Sequence, residues 1–174
     1  MKKITIDTIR SLKGANSAFA TLTAYDFTSA KLVDQAGIPL ILVGDSAAMV
    51  VYGYDTTIPV SMDEMIFLVG SVTRGAETAL VVADMPFMSY QVSVENAIFN
   101  AGRFVKEANA QAVKLEGGVN SADHITGIVN AGIPVMAHIG LTPQSFHQMS
   151  GYKVQGKTKS TAEQLIEDAV AVEA

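Results

Sequence analysis

The sequence predicts an α/β fold: the first five strand–helix units of a (β/α)8 TIM barrel, behind a short N-terminal helix. Three observations predict it. Five short apolar runs alternate with stretches of helical periodicity. Most of these runs are continuously apolar rather than alternating, as suits parallel strands covered on both faces. Each run finishes on polar side chains, and in a barrel the strand ends share one face, where active sites are built.

In order, the runs are FATLTA at 19–24, PLILVG at 39–44, ALVVAD at 79–84, AVKLEG at 112–117 and IPVMAH at 133–138. Ser61 and Glu64 have capping-box spacing, in which hydroxyl and carboxylate each satisfy an orphan backbone N–H, so a helix opens there. Val94, Ala97, Ile98, Ala101, Val105 and Ala108 fall on one face of the next helix. Ser160 with Glu163 opens a last helix, whose apolar positions are Leu165, Ile166, Ala169 and Val172. AGIP occurs at 36–39 and at 131–134, after a helical stretch and before a strand each time. Gly37 and Gly132 take the left-handed helix-ending position, and the Pro two residues later prevents continuation. No G-x-G-x-x-G follows the first run, which withdraws support from an open dinucleotide-binding sheet. A complete barrel needs about 250 residues. Five units in 174 residues therefore read as one domain over 1–174, the N-terminal part of a barrel cut short.

Composition excludes several classes. Hydrophobic residues make up 49% and charged residues 17%, which is globular and not disordered. A net charge of -5 offers no electrostatic footprint for nucleic acid. The absence of cysteine removes disulfides, thiolate zinc sites and a Cys nucleophile, and is compatible with a cytoplasmic location. The start, MKKITIDTIRSLKG, lacks the apolar stretch of a secretory signal. No 18-residue apolar run exists, so no membrane span is expected.

The polar strand ends carry the candidate site. Tyr25 and Asp26 follow the first run, Asp45 and Ser46 the second. Asp84 ends the third, Lys114 and Glu116 lie in the fourth, and His138 ends the fifth. Lys114 and Glu116 are two apart and share one side of their strand, with Val113 and Leu115 directed to the helices. Burying both charges is costly unless they are paired or ligated, so a structural Lys–Glu pair is one reading. Asp45 and Asp84 taken singly could be helix N-caps. Asp45, Asp84 and Glu116 together would converge on one mouth and repel each other unless a cation sits between them. Oxygen ligands suit a hard ion such as Mg²⁺. His138 is either a satisfied core histidine or a substrate contact. The loop from about 140 to 160 has the length of a lid; its Lys153 and Lys157 are equally ordinary surface charges. Met62, Met65, Met85 and Met88 read as packing residues.

Several segments in order resemble one family. TAYDFTSAKLVDQAG, LVGDSAAMVVYGYDTTIPVSMDEM, ADMPFMSY, VKLEGG and HIGLTPQSFHQMSGYKVQG resemble the ketopantoate hydroxymethyltransferases, members of the phosphoenolpyruvate/pyruvate superfamily, from about residue 19 onward. The resemblance implies transfer of a hydroxymethyl group from 5,10-methylenetetrahydrofolate to 3-methyl-2-oxobutanoate. The product would be 2-dehydropantoate, in pantothenate biosynthesis, formed through a Mg²⁺-stabilised enolate. It implies that Asp45, Asp84 and Glu116 surround the Mg²⁺, and that Asp45, Ser46, Asp84, Lys114 and His138 contact the keto acid. It also implies a cytoplasmic homo-oligomer, commonly a decamer, with small-molecule partners and neither nucleic acid nor membrane.

The sequence departs from the family pattern in places. Ala47-Ala48 stand where Leu-Gly is commoner, and Tyr54 where His is common. The family's catalytic glutamate base is expected on the strand after the last helix, beyond Ala174; Glu173 belongs to the preceding helix and does not match it. The alternatives are another Mg²⁺-dependent C–C lyase of the superfamily, or an inactive fragment that only associates with partner chains.

Overall fold

The five apolar runs pair in parallel and in chain order, as β1 (Thr21–Thr23), β2 (Leu40–Val43), β3 (Leu80–Asp84), β4 (Ala112–Glu116) and β5 (Val135–His138). The helices are α1 (Ile6–Ser11), α2 (Phe27–Gln35), α3 (Ala47–Val50), α4 (Met62–Gly75), α5 (Val94–Ala108), α6 (Ala122–Asn130), α7 (Phe146–Met149) and α8 (Lys159–Glu173). Short 3-10 turns cover Val119–Ser121 and Pro143–Ser145. This computed structural model describes residues 2–13 and 18–173; Met1, Gly14 and Ala174, named above, lie outside the described residues. No helix among the described residues is long and apolar enough to cross a membrane. The strand order and pairing are those of the first five units of a (β/α)8 barrel.

Register divides the strand residues between two faces. Leu42 lies opposite Val82, Val82 opposite Ala112, Asp84 opposite Lys114, Lys114 opposite Met136, and Glu116 opposite His138. Partners across a parallel ladder point the same way, so these residues share the inner face. The alternate residues Ile41, Val43, Val81, Ala83, Val113 and Leu115 meet the helices. There they form the main core with Met65, Val69, Val72, Ala97, Ala101, Phe104 and Ile128. On the inner face Leu40, Leu80, Val82 and Ala112 form a smaller cluster with Ile4, Ile6 and Ile9. A cavity of about 700 Å³ opens beside that cluster, bounded also by Val129, Met136 and Val172. It lies toward the strand beginnings, whereas the polar side chains occupy the strand ends.

Local signals mostly act as their chemistry requires. Ser61 caps α4 in a reciprocal box with Glu64. Gly37 and Gly132 adopt φ of 82° and 87°, the left-handed conformation that closes α2 and α6. Four details differ from expectation. The buried face of α5 runs through Ala97, Ala101, Phe104 and Ala108, while Val105 is exposed. Phe104 is the larger side chain, and its 4-3-4 spacing with those alanines turns the helix toward it. The cap of α8 is Thr158 with Thr161 rather than Ser160 with Glu163: the Thr161 amide donates to Thr158 Oγ1 at 3.3 Å and the Thr158 amide to Thr161 Oγ1 at 3.0 Å. The helix begins at Lys159, so Ser160 already lies inside its first turn. On α8 both Ile166 and Ala169 are exposed, and so is Met88, which takes φ 65° in the turn after β3 instead of packing.

Candidate active site

Four ionisable side chains converge at the inner ends of β2, β3 and β4. Asp45, Asp84, Lys114 and Glu116 are all buried. Lys114 Nζ is 2.7 Å from Asp84 Oδ1 and 4.0 Å from Glu116 Oε1. The shorter ion pair is thus Lys114–Asp84, and the Lys114–Glu116 pair read from spacing is present as a longer one. Register explains it: Asp84 lies directly opposite Lys114 on the neighbouring strand, whereas residues two apart on one strand stand about 6.5 Å apart along it. Asp84 Oδ2 accepts from the Asp45 backbone N–H at 3.1 Å, tying the end of β3 to the turn after β2.

The N-cap alternatives fall away for both aspartates. Ser46, not Asp45, precedes α3 and makes no side-chain cap, and Asp84 is the last residue of β3. Asp26 does cap a helix: its Oδ1 accepts from the Ser29 amide at 2.8 Å, which accounts for that residue without a role in the site. Tyr25 has a different part, with its hydroxyl 2.8 Å from Ser46 Oγ. Gly44 makes room for this pair, because a Cβ there would lie 2.8 Å from Ser46 Oγ. His138 sits on the rim. Its Nδ1 is 3.3 Å from Glu116 Oε1 without hydrogen-bond geometry, so both buried atoms lack a partner. Lys153 and Lys157 are exposed.

Electrostatics follow from burial and crowding. Burial, then the Asp84 charge, pushes the Asp45 carboxyl up to about 7 against the pull of the Gln144 amide and Lys114. Burial also raises Asp84, opposed by the Lys114 ammonium and the Asp45 amide. One cation among three carboxylates leaves negative charge uncompensated. The donor chemistry fits a hard divalent ion, since every candidate ligand is a carboxylate oxygen and Glu116 Oε1 is unsatisfied. Among the described residues, no three acidic or imidazole side chains close into a ready ligand set. The protein would therefore supply only part of a coordination sphere, leaving the remainder to water or substrate oxygen, as Mg²⁺ commonly retains.

A family model described as ketopantoate hydroxymethyltransferase matches residues 3–174. The chain belongs to this family. Two relatives, both named 3-methyl-2-oxobutanoate hydroxymethyltransferase, illustrate the closeness within the ketopantoate hydroxymethyltransferase family. The Dehalococcoides mccartyi protein is 57% identical over 98% of this chain and 61% of its own length. That of Carboxydothermus hydrogenoformans is 54% identical over 99% of this chain and 62% of its own. The chain thus spans about three-fifths of the length of these relatives. Two solved structures share its fold. Phosphonopyruvate hydrolase, in a complex with oxalate and Mg²⁺, superposes with a TM-score of 0.71 at 15% identity, covering 99% of this chain and 60% of that one. The 2,3-dimethylmalate lyase, a member of the PEP mutase/isocitrate lyase superfamily, gives 0.65 at 17%, covering 98% and 61%.

Two residues that sequence reasoning missed complete the arrangement. Gln144 and Tyr90 are buried polar side chains that bridge the loops after β5 and β3. Gln144 Nε2 donates to Asp45 Oδ2 at 2.9 Å, and its backbone N–H donates to Glu116 Oε2 at 3.0 Å. The Tyr90 hydroxyl meets Gln144 Oε1 at 2.8 Å and accepts from the Glu116 N–H at 3.1 Å. Both residues stand in segments that resemble this family, GLTPQ and ADMPFMSY, yet neither lies on a strand or helix whose periodicity would have singled it out.

Proposed function

We propose that this chain forms the N-terminal part of the barrel domain of a ketopantoate hydroxymethyltransferase. The enzyme would transfer a hydroxymethyl group from 5,10-methylenetetrahydrofolate to 3-methyl-2-oxobutanoate, giving 2-dehydropantoate. The observation that carries this reading is the convergence of Asp45, Asp84 and Glu116 around Lys114 at the strand ends, in a chain of this family. Relatives that bear the transferase name support the reaction. The Mg²⁺ in the complex of the structurally similar phosphonopyruvate hydrolase supports the metal.

Asp45, Asp84 and Glu116 would hold Mg²⁺, directly or through water. Bound there, Mg²⁺ would supply Lewis-acid polarisation of the keto oxygen. Asp45, Ser46, Asp84, Lys114 and His138 would surround the keto acid. Lys114 presents an ammonium already fixed by Asp84, so it can face a developing negative oxygen with little reorganisation. Ser46, held by Tyr25, offers a hydroxyl to the substrate carboxylate. His138 adds an imidazole at the rim. Burial of Asp45, Asp84, Lys114 and Glu116 strengthens the contacts these groups would make.

The test is calorimetric titration of Mg²⁺ in the presence of 3-methyl-2-oxobutanoate, with wild type and Asp84→Asn. Wild type should bind both together, and the variant should bind at least tenfold more weakly. With the site carried in a complete barrel, NMR of mixtures that also contain 5,10-methylenetetrahydrofolate should report 2-dehydropantoate. Folded wild type that shows no Mg²⁺-dependent binding of the keto acid would overturn the reading.

A further inference from the structure

Gln144 is buried, and both polar atoms of its side chain and its backbone N–H are engaged. Its Nε2 donates to Asp45 Oδ2 and to Met85 O, both at 2.9 Å. Its Oε1 accepts from the Tyr90 hydroxyl at 2.8 Å and from Gln91 Nε2 at 3.2 Å. Its backbone N–H donates to Glu116 Oε2 at 3.0 Å. The partners fix the amide's orientation, because a flip would set its oxygen against the Asp45 carboxylate and the Met85 carbonyl, acceptor against acceptor.

We propose that Gln144 is a positioning residue that aims Asp45 and Glu116 by occupying one oxygen of each carboxylate. The inference rests on the metal reading above. Occupying Asp45 Oδ2 and Glu116 Oε2 leaves Asp45 Oδ1 and Glu116 Oε1 for a cation. Glu116 Oε1 is buried and makes no hydrogen bond, with only the longer approaches of Lys114 Nζ at 4.0 Å and His138 Nδ1 at 3.3 Å beside it, so its lone pairs are open to a ligand. A carboxylate pinned at one oxygen cannot rotate the other away. Tyr90 works one step further out, by holding the Gln144 amide oxygen. The hold spans three loops, those after β2, β3 and β5, with Glu116 at the end of β4. The same residue anchors the segment after β5, which runs from the Pro143–Ser145 turn into α7.

The test uses Mn²⁺, a paramagnetic stand-in for Mg²⁺, titrated into wild type, Gln144→Ala and Tyr90→Phe. Electron paramagnetic resonance reads free ion, and circular dichroism reads the folded fraction and melting point. Gln144→Ala is expected to bind Mn²⁺ about 10–100-fold more weakly per folded molecule. Tyr90→Phe, which removes a single hydroxyl, is expected to weaken binding in the same direction by a smaller factor. A merely structural role would lower the melting point and leave the affinity of the folded fraction unchanged; that result overturns the inference and leaves the proposed function standing. If Gln144→Ala fails to fold, Tyr90→Phe decides, and unchanged affinity again overturns the inference. Wild type that takes up no Mn²⁺ overturns the metal reading itself, and this inference with it.

Discussion

Lys114 neutralises a carboxylate that has little else to hold its charge. Among the described residues, Asp84 keeps only the Asp45 N–H if the ammonium is removed. Breaking a buried ion pair from one side costs about 3–5 kcal/mol. Lys114→Met should therefore lower the melting temperature sharply at neutral pH, and the double variant Lys114→Met/Asp84→Asn should recover much of the loss. Calorimetric melting of the three proteins checks this, and a double variant no more stable than the single one would refute it. Asp34 on α2 makes a second buried anchor, far from the site. Its carboxylate accepts from the amides of Glu77, Thr78 and Ala79 and from the Thr78 hydroxyl. Burial pushes its carboxyl up, but these donors outweigh burial and hold it below the ordinary 3.8. A carboxyl depressed by folding binds fewer protons folded than unfolded, so its stabilisation is present above the unfolded value and fades as pH falls through the folded one. Asp34→Asn should lose about 1.5–3 kcal/mol at pH 7. The gap to wild type should narrow below about pH 4, as urea unfolding at several pH values would read. The alternation of β4 announced Lys114 and Glu116 from sequence. Their partners were not legible, because register between strands and the path of a loop decide them.

Caps and packing faces decide how firmly each element is set. Thr158→Ala should destabilise α8 by about 0.5–2 kcal/mol, whereas Ser160→Ala should change little, because Thr158 makes the reciprocal bonds. Hydrogen exchange of the first amides of α8 distinguishes the two; equal protection in both variants would contradict the assignment. The strands themselves were plain in the sequence, since each lies within its apolar run. Spacing alone displaced the cap of α8 by two residues, because Ser160–Glu163 satisfies the same pattern as a true cap. It also placed Val105 on the buried face of α5, where the larger Phe104 sets the orientation. The loop after β5 has no periodicity to read, which is why its 3-10 turn, α7 and Gln144 emerged only in three dimensions.

The two faces of the sheet differ in how they tolerate added volume. Ala83 packs in the helix-side core, and Ala112 on the next strand faces the cavity of about 700 Å³. Ala83→Leu should cost about 1–3 kcal/mol through overpacking, while Ala112→Leu should cost less than about 1.5 kcal/mol because the new atoms enter open space. Denaturant midpoints of both variants measure the difference, and equal losses would contradict the facing inferred for these residues. The whole-chain architecture was the most legible level, since five alternating units admit few topologies. The pairing of charges across β3, β4 and β5 has a consequence for folding as well as for chemistry. A one-residue slip of β4 would turn Lys114 and Glu116 into the apolar layer beneath the helices and bring Val113 and Leu115 to the mouth. Such a sheet would strand two charges without partners, a cost no gain in contacts there offsets. The charges at the candidate site thereby proofread strand alignment: a variant stripped of them would lose fidelity of assembly.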